Sequence, residues 1–297
     1  MSQLATTSPL QLGRQGFGAM RLRDTDSGDP DRDPLRVVNT ALDEGVAMID
    51  TAELYGNEEL VGRTIAGRRD EVVLASKFGV VRTDGRPDGP PAGFEVRADA
   101  GQVRRSCEAS LRRLRTDRID LYYLHHRSET VPIEETVGAM ADLVRQGKVG
   151  AIGLSNVTAE DLRRAHAVHP VAALQEHWSL AERTVERDLV PAAAELGVAL
   201  VAHSPTSHGV LHDAADDAAT ADEKQVVLRE IATAHEVSAG QLAIAWVHSR
   251  GPLHGVEVVP LPGTTRASHV RANVAAREIV LDPEELRRLT AAWSPTA

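Results

Sequence analysis

IDLYYLHHRSETVPIEETVGAMADLVRQGKVGAIGLSN, residues 119–156, spells out one complete strand–helix–strand unit. Ile119–Leu124 and Val149–Gly153 are short, near-continuously apolar runs, the pattern of strands buried on both faces. Between them Ile133, Val137, Met140, Leu143 and Val144 recur at the spacing of one helical face.

Working outward, the same alternation fills the chain. The remaining candidate strands are Gly16–Met20, Val46–Ile49, Val72–Ala75, Ala172–Leu174, Val198–Ala202 and Val256–Pro260, which makes eight in all. Helical faces lie between them, as in Leu35, Val38, Ala41 and Leu42, and in Val103, Cys107, Ser110, Leu111 and Leu114. An extra helix closes the chain: Asp282 precedes Pro283, and Glu285 follows three residues on, a capping-box arrangement. Eight β/α repeats predict a (β/α)8 TIM barrel, an eight-stranded parallel barrel ringed by helices, with a C-terminal extra helix; a doubly wound open sheet is the alternative. No composition break divides residues 1–297, so a single domain is expected. Residues 81–96, rich in Gly and Pro, and 204–220, rich in Asp and Ala, read as long loops of the kind that often carry function.

Composition narrows the function. The net charge of −10 argues against a nucleic-acid partner, which needs clustered cations to neutralise phosphates. One cysteine, Cys107, allows neither an internal disulfide nor a cysteine-rich metal site, and no metal is expected. No run of 18 apolar residues predicts a membrane span. The leading MSQLATTSPLQ lacks a basic-then-apolar signal pattern, so the expected location is the cytoplasm.

In a barrel of this type the active site lies at the carboxyl ends of the strands. Asp50 follows the second apolar run and Tyr55 comes five residues later; Lys77 follows the third run and His125 the fourth. Singly, such residues usually pack, solvate or satisfy a core hydrogen bond. Together they share a chemical purpose. A free phenol has a pKa of about 10 and is a poor acid at neutral pH. A nearby ammonium favours phenolate, a carboxylate keeps that ammonium charged, and an imidazole can orient a carbonyl oxygen. The set suits carbonyl reduction, with a proton delivered to oxygen as hydride reaches carbon. Both Tyr55 and His125 are candidate donors. No G-x-G-x-x-G follows a strand, since GRQGFGAM at 13–20 fails the spacing, so a nicotinamide would bind in a non-Rossmann way. Later strand ends offer Ser155, Asn156, Gln175, Ser204, Thr264, Thr265 and Arg266 for it, although turn and cap chemistry would also use some of these.

These motifs resemble the aldo-keto reductase superfamily over nearly the whole chain. DTAELYG at 50–56, SKFG at 76–79 and DLYYLH at 120–125 are similar to its catalytic motifs. IGLSN at 152–156, LQEHWSL at 174–180 and PLPGTTR at 260–266 are similar to its cofactor motifs. Residues 131–156 are closest to the bacterial branch that also resembles potassium-channel β subunits. The resemblance implies a catalytic tetrad of Asp50, Tyr55, Lys77 and His125, and NADPH extended across the barrel mouth. Ser155, Asn156 and Gln175 would hold the carboxamide, Gly18 and Met20 would touch the cofactor near its centre, Asp50 would be a further cofactor contact, and Ser204, Pro205 and Gly209 would track the pyrophosphate. Gly263, Thr264, Thr265 and Arg266 would surround the 2′-phosphate, with Asn273 at the adenine.

Three positions depart from the family pattern. His203 stands where most relatives have the Tyr that stacks on nicotinamide. His269 stands where an Arg often falls near the 2′-phosphate. The chain ends four residues after Trp293, short of the C-terminal loop that closes the pocket in some relatives, so an open pocket is expected, or one completed by a second subunit of a homo-oligomer. The substrate pocket would be shaped by residues 81–96, 126–131 and 206–221, where His126, Arg127, His208 and His212 would suit polar or anionic substrates or be solvated loop residues.

The reading is an NADPH-dependent reductase of a small-molecule aldehyde or ketone. Alternatives are alcohol oxidation with NADP+, since the tetrad is reversible, and a nucleotide-sensing regulatory subunit resembling the channel β subunits.

Overall fold

Ten strands and eleven α-helices lie in the described residues of the computed structural model, 10–24, 28–83, 93–212 and 222–293. In chain order the strands are β1 (Gly16–Gly18), β2 (Met48–Asp50), β3 (Val73–Phe78), β4 (Val80–Arg82), β5 (Phe94–Val96), β6 (Ile119–Leu124), β7 (Val149–Ser155), β8 (Val171–His177), β9 (Ala199–His203) and β10 (Val258–Leu261). The helices are α1 (Pro34–Asp43), α2 (Glu58–Ile65), α3 (Ala100–Leu114), α4 (Ile133–Arg145), α5 (Ala159–Val168), α6 (Val185–Leu196), α7 (Glu223–Ala234), α8 (Ala239–His248), α9 (Arg250–His254), α10 (Ala267–Ala275) and α11 (Pro283–Ala292).

Eight strands pair in parallel in the order β1-β2-β3-β6-β7-β8-β9-β10. The ring is joined where the Gly18 N–H donates to Pro262 O at 3.0 Å and Gly18 bridges Gly263. A Cβ on Gly263 would lie 2.7 Å from Gly18 O, so the two chain ends approach backbone to backbone. This is the expected (β/α)8 barrel with C-terminal helices. No helix of the described residues is long and apolar enough to cross a membrane.

Every expected strand forms, but most extend further toward their carboxyl ends than hydrophobicity alone suggests. β3 runs on to Phe78, β7 to Ser155, β8 to His177 and β9 to His203. The barrel mouth is polar, so the apolar signal stops before the hydrogen-bonded ladder does. The segment expected as one loop over 81–96 instead contributes β4 and β5, an antiparallel hairpin; its residues 84–92 lie outside the described residues, as do 213–221, 1–9 and 294–297. On α1, Leu35 faces solvent and Val37 takes the core position beside Val38, Ala41 and Leu42. The capping box of α11 forms as read, with the Glu285 N–H donating to Asp282 Oδ1 and the Asp282 N–H to Glu285 Oε2, both at 2.8 Å.

The core has two parts. The larger lies between strands and helices. The smaller plugs the barrel interior with Leu12, Met48, Ala75, Leu121, Tyr123, Ala173, Ala199, Val201, Val259 and Leu261. Large and small side chains alternate there, as an eight-stranded interior requires. Gly153 shows how tight the fit is: a Cβ built on it would lie 2.3 Å from a carbon of the Tyr123 ring, which is fully buried. We therefore expect Gly153→Ala to destabilise the protein by about 1–3 kcal/mol, the usual cost of overpacking. Gly138 in α4 meets no atom within 4 Å, so Gly138→Ala should stabilise by about 0.4–1 kcal/mol. Urea denaturation of the pair checks both signs.

Candidate active site

Period-two alternation carries the inward phase of the apolar plug into a polar ring at the strand ends. Met48 leads to Asp50, Ala75 to Lys77, Tyr123 to His125, Gly153 to Ser155, Ala173 to Gln175 and His177, and Val201 to His203. The residues expected at the site thus converge because each lies in phase with an inward-facing residue two places earlier, or four in the case of His177.

Tyr55 sits on the 3-10 turn Glu53–Tyr55 that leaves β2, and Gly56 ends that turn at φ 68°. Two buried side chains not foreseen from sequence fix the turn from below. Asn57 accepts from the Thr51 hydroxyl at 2.7 Å and donates to Ala19 O and Leu22 O at 2.7 and 3.1 Å. Glu58 accepts from the Ser76 hydroxyl at 2.6 Å and from Arg113 Nε at 2.7 Å. Nothing in their sequence neighbourhood distinguishes these two from helix-start residues.

Lys77 is 1% exposed and makes a close ion pair with Asp50 Oδ1, while its ammonium also donates to Thr51 O at 3.0 Å. The other Asp50 oxygen accepts from Gln175 Nε2 at 2.9 Å. The Lys77 nitrogen stands 5.1 Å from the Tyr55 ring centre, and the Tyr55 and His125 rings meet edge-on at 5.7 Å. Burial opposes the Lys77 charge, but attraction to Asp50 and to the Tyr55 oxygen outweighs it and holds the ammonium above its ordinary pKa.

The phenol departs from the sequence expectation. Burial pushes the Tyr55 pKa up; the Lys77 charge pulls it down, the Asp50 charge pushes it up, and the net direction is upward. Asp50 neutralises much of the field that Lys77 would otherwise exert on the phenol. Tyr55 therefore keeps its proton through neutral pH. His125 moves the other way: burial, Lys77 and the neighbouring His203 and His126 hold its imidazole well below the usual range, so it is neutral. Its Nδ1 is buried without a hydrogen-bond partner among the described residues.

The residues expected around a nicotinamide cofactor line the same rim. Ser155 and Gln175 are buried at the ends of β7 and β8. Asn156, at φ 52°, donates from Nδ2 to His125 O at 2.8 Å and to Ser155 Oγ at 3.1 Å. Glu176 accepts from the Val157 N–H at 3.3 Å, and burial raises its pKa to about 7. His203 lies 3.1 Å from Ser204 Oγ and stacks on His177, with ring centres 5.4 Å apart and planes 22° apart. His177 follows Gln175 by two residues on β8, so strand alternation alone could have placed it in the ring. Gly209, at φ 102°, and Pro205 lie on the chain leaving β9. Met20 is 41% exposed beside Gly18. Thr264, Thr265 and Arg266 precede α10, which carries the exposed His269 and the half-buried Asn273.

Of the loop residues considered for substrate, Arg127 is engaged: its Nε pairs with Asp161 at 3.3 Å and its N–H donates to Asn156 O. His208 stands edge-on to His177. His126 contacts the Phe94 ring, and His212 packs under Gly240.

The aldo/keto reductase family model matches residues 15–294. The chain belongs to the aldo/keto reductase family. A thermostable aldo-keto reductase, Tm1743, in complex with the inhibitor epalrestat, is similar at 32% identity and a TM-score of 0.76, covering 94% of this chain and 95% of that one. An aldo/keto reductase from Klebsiella pneumoniae in complex with NADP and acetate is similar at 31% identity and a TM-score of 0.77, covering 96% and 93%. The glycerol dehydrogenase of Gluconobacter oxydans is similar at 27% identity and a TM-score of 0.80, covering 96% and 94%. This aldo/keto reductase is accordingly an oxidoreductase, and its cluster of Asp50, Tyr55, Lys77 and His125 lies where a barrel enzyme places its chemistry.

Proposed function

We propose that this aldo/keto reductase reduces the carbonyl of an aldehyde or ketone to an alcohol, with NADPH as the reductant and Tyr55 as the proton donor. The carrying observation is the buried Asp50–Lys77 ion pair set beside the Tyr55 ring and the neutral His125. The donor set on the rim suits a dinucleotide: the Ser155 hydroxyl, the Asn156 and Gln175 amides, the Thr264 and Thr265 hydroxyls and the Arg266 guanidinium. Two buried imidazole nitrogens there, His125 Nδ1 and His177 Nε2, have no hydrogen-bond partner among the described residues, as expected of groups that meet a ligand. Relatives holding NADP or NADPH support the choice of cofactor.

When bound, the reduced nicotinamide supplies hydride to the carbonyl carbon. The protein supplies the rest. His125, uncharged, hydrogen-bonds and orients the carbonyl oxygen. The Tyr55 O–H bond breaks as its proton passes to that oxygen. Lys77 stabilises the phenolate left behind, and Asp50 keeps Lys77 charged in a buried place. The arrangement is reversible, and the similarity to a glycerol dehydrogenase favours alcohol oxidation as a second reading.

The test is consumption of NADPH with a panel of aldehydes, ketones and, in reverse with NADP+, alcohols. Carbonyl-dependent oxidation of NADPH with a matching yield of alcohol is the expected result. Cofactor binding with turnover on none of these compounds would overturn the assignment.

A further inference from the structure

The N-terminal end of α10 is engaged by the protein's own acids. Asp31, on the 3-10 turn Pro30–Arg32, accepts the Ser268 N–H on Oδ1 at 2.8 Å and the Ser268 hydroxyl on Oδ2 at 2.7 Å. Its Oδ2 and Asp29 Oδ2 both lie 3.3 Å from Arg266 Nη1. Arg32 completes the group, 3.7 Å from Asp29 and 3.5 Å from the Thr265 hydroxyl. A helix-start N–H, a hydroxyl and a guanidinium are the donors a phosphate monoester would use. Here a carboxylate takes all three. The cluster holds two cations and two anions, so its charge is cancelled before any ligand arrives.

We propose that Asp31, assisted by Asp29, is a specificity-determining residue: its carboxylate occupies the anion site at Arg266 and Ser268, and the 2′-phosphate of NADPH must displace it. The inference rests on the proposed placement of the 2′-phosphate at Arg266. NADH, with a hydroxyl in that position, bears no such handicap, so preference for NADPH is narrowed without loss of Arg266. The occupant stays charged, because the Ser268 hydroxyl and N–H, then Arg266, hold the Asp31 carboxyl down at about 2. The turn does not need the Asp31 carboxylate for its own cap, since Asp29 accepts the Asp31 N–H at 3.0 Å. The contact joins residues 237 apart in sequence, which is why no local motif announces it.

The test is direct binding, read by calorimetry, of NADPH, NADH, 2′,5′-ADP and 5′-AMP to the wild type, Asp31→Asn, Asp29→Asn and Arg266→Ala. Asparagine keeps an acceptor for the Ser268 N–H but carries no charge. Asp31→Asn should tighten NADPH and 2′,5′-ADP by about three- to tenfold, the scale of one partly exposed ionic contact, and leave NADH and 5′-AMP within about twofold. Asp29→Asn should act in the same direction and more weakly. Arg266→Ala should weaken only the two ligands that carry a 2′-phosphate, NADPH and 2′,5′-ADP. If Arg266→Ala leaves NADPH untouched, the 2′-phosphate lies elsewhere and the placement itself fails. If Arg266→Ala weakens NADPH but neither aspartate variant tightens it, the placement stands and the role given to Asp31 is wrong. Unchanged NADH affinity in each variant reports that the fold is intact.

Discussion

Tyr55→Phe should cut carbonyl reduction by about 10²–10⁴-fold, the usual worth of a positioned general acid, while NADPH binds as before. The substitution removes one oxygen from a side chain whose turn is fixed independently by Asn57 and Glu58. Loss of turnover without loss of binding therefore reports chemistry and not collapse. The pH profile separates the two candidate donors. Reduction through Tyr55 needs the protonated phenol, and burial has moved that pKa upward, so wild-type activity should persist through neutral pH and decline only on the alkaline side. His125 is held well below the ordinary imidazole range, so reduction driven by imidazolium would be confined to acid. Turnover against pH for the wild type, Tyr55→Phe and His125→Gln decides the matter. Near-normal reduction by Tyr55→Phe at neutral pH would sink the tyrosine assignment.

Lys77→Met should be about as damaging to turnover, and it carries a second cost. Removing the ammonium strands the Asp50 carboxylate in a buried place, where breaking a pair typically costs about 3–5 kcal/mol. The phenol also loses the one charge that draws its pKa down. The double variant Lys77→Met/Asp50→Asn separates the two effects, because it leaves no uncompensated charge and retains an acceptor for Gln175. Its urea midpoint should return most of the way to wild type while turnover stays at least about 100-fold down. If the double variant recovers both, Lys77 serves only to hold Asp50, and its role in the proton transfer is refuted.

The barrel was legible because its evidence is local and repeated. Each strand buried on both faces announces itself as an apolar run, and each helix as a 3.6-residue stripe. The site was legible through inward register: Asp50, Lys77, His125, Ser155, Gln175 and His203 all follow an apolar run, and the fold type says which strand end is functional. His177 obeyed the same rule and was missed, because its neighbours Glu176 and Trp178 obscured the alternation. Strand ends were the weakest part of the reading. Hydrophobicity marks where a strand is dry, not where its ladder stops, and at the mouth of this barrel the two differ by up to three residues on β3 and β8.

By itself, then, the sequence determined the strand–helix order, the parallel topology, and the identities and inward placement of the groups from Asp50 to His203. These follow from periodicities within about twenty residues and from the rule that one end of such a barrel carries the chemistry. The tertiary structure alone decided the electrical state of those groups. Whether Tyr55 is made more or less acidic depends on how far Asp50 cancels Lys77 and how deeply the phenol is buried, and both are sums over residues remote in the chain. The same holds for Arg266. Its motif announces a cation at a helix start, but only folding brings Asp29 and Asp31, on the connection from β1 to α1, beside it where β1 meets β10. Coulomb energy depends on separation in space, and separation in sequence carries no information about it.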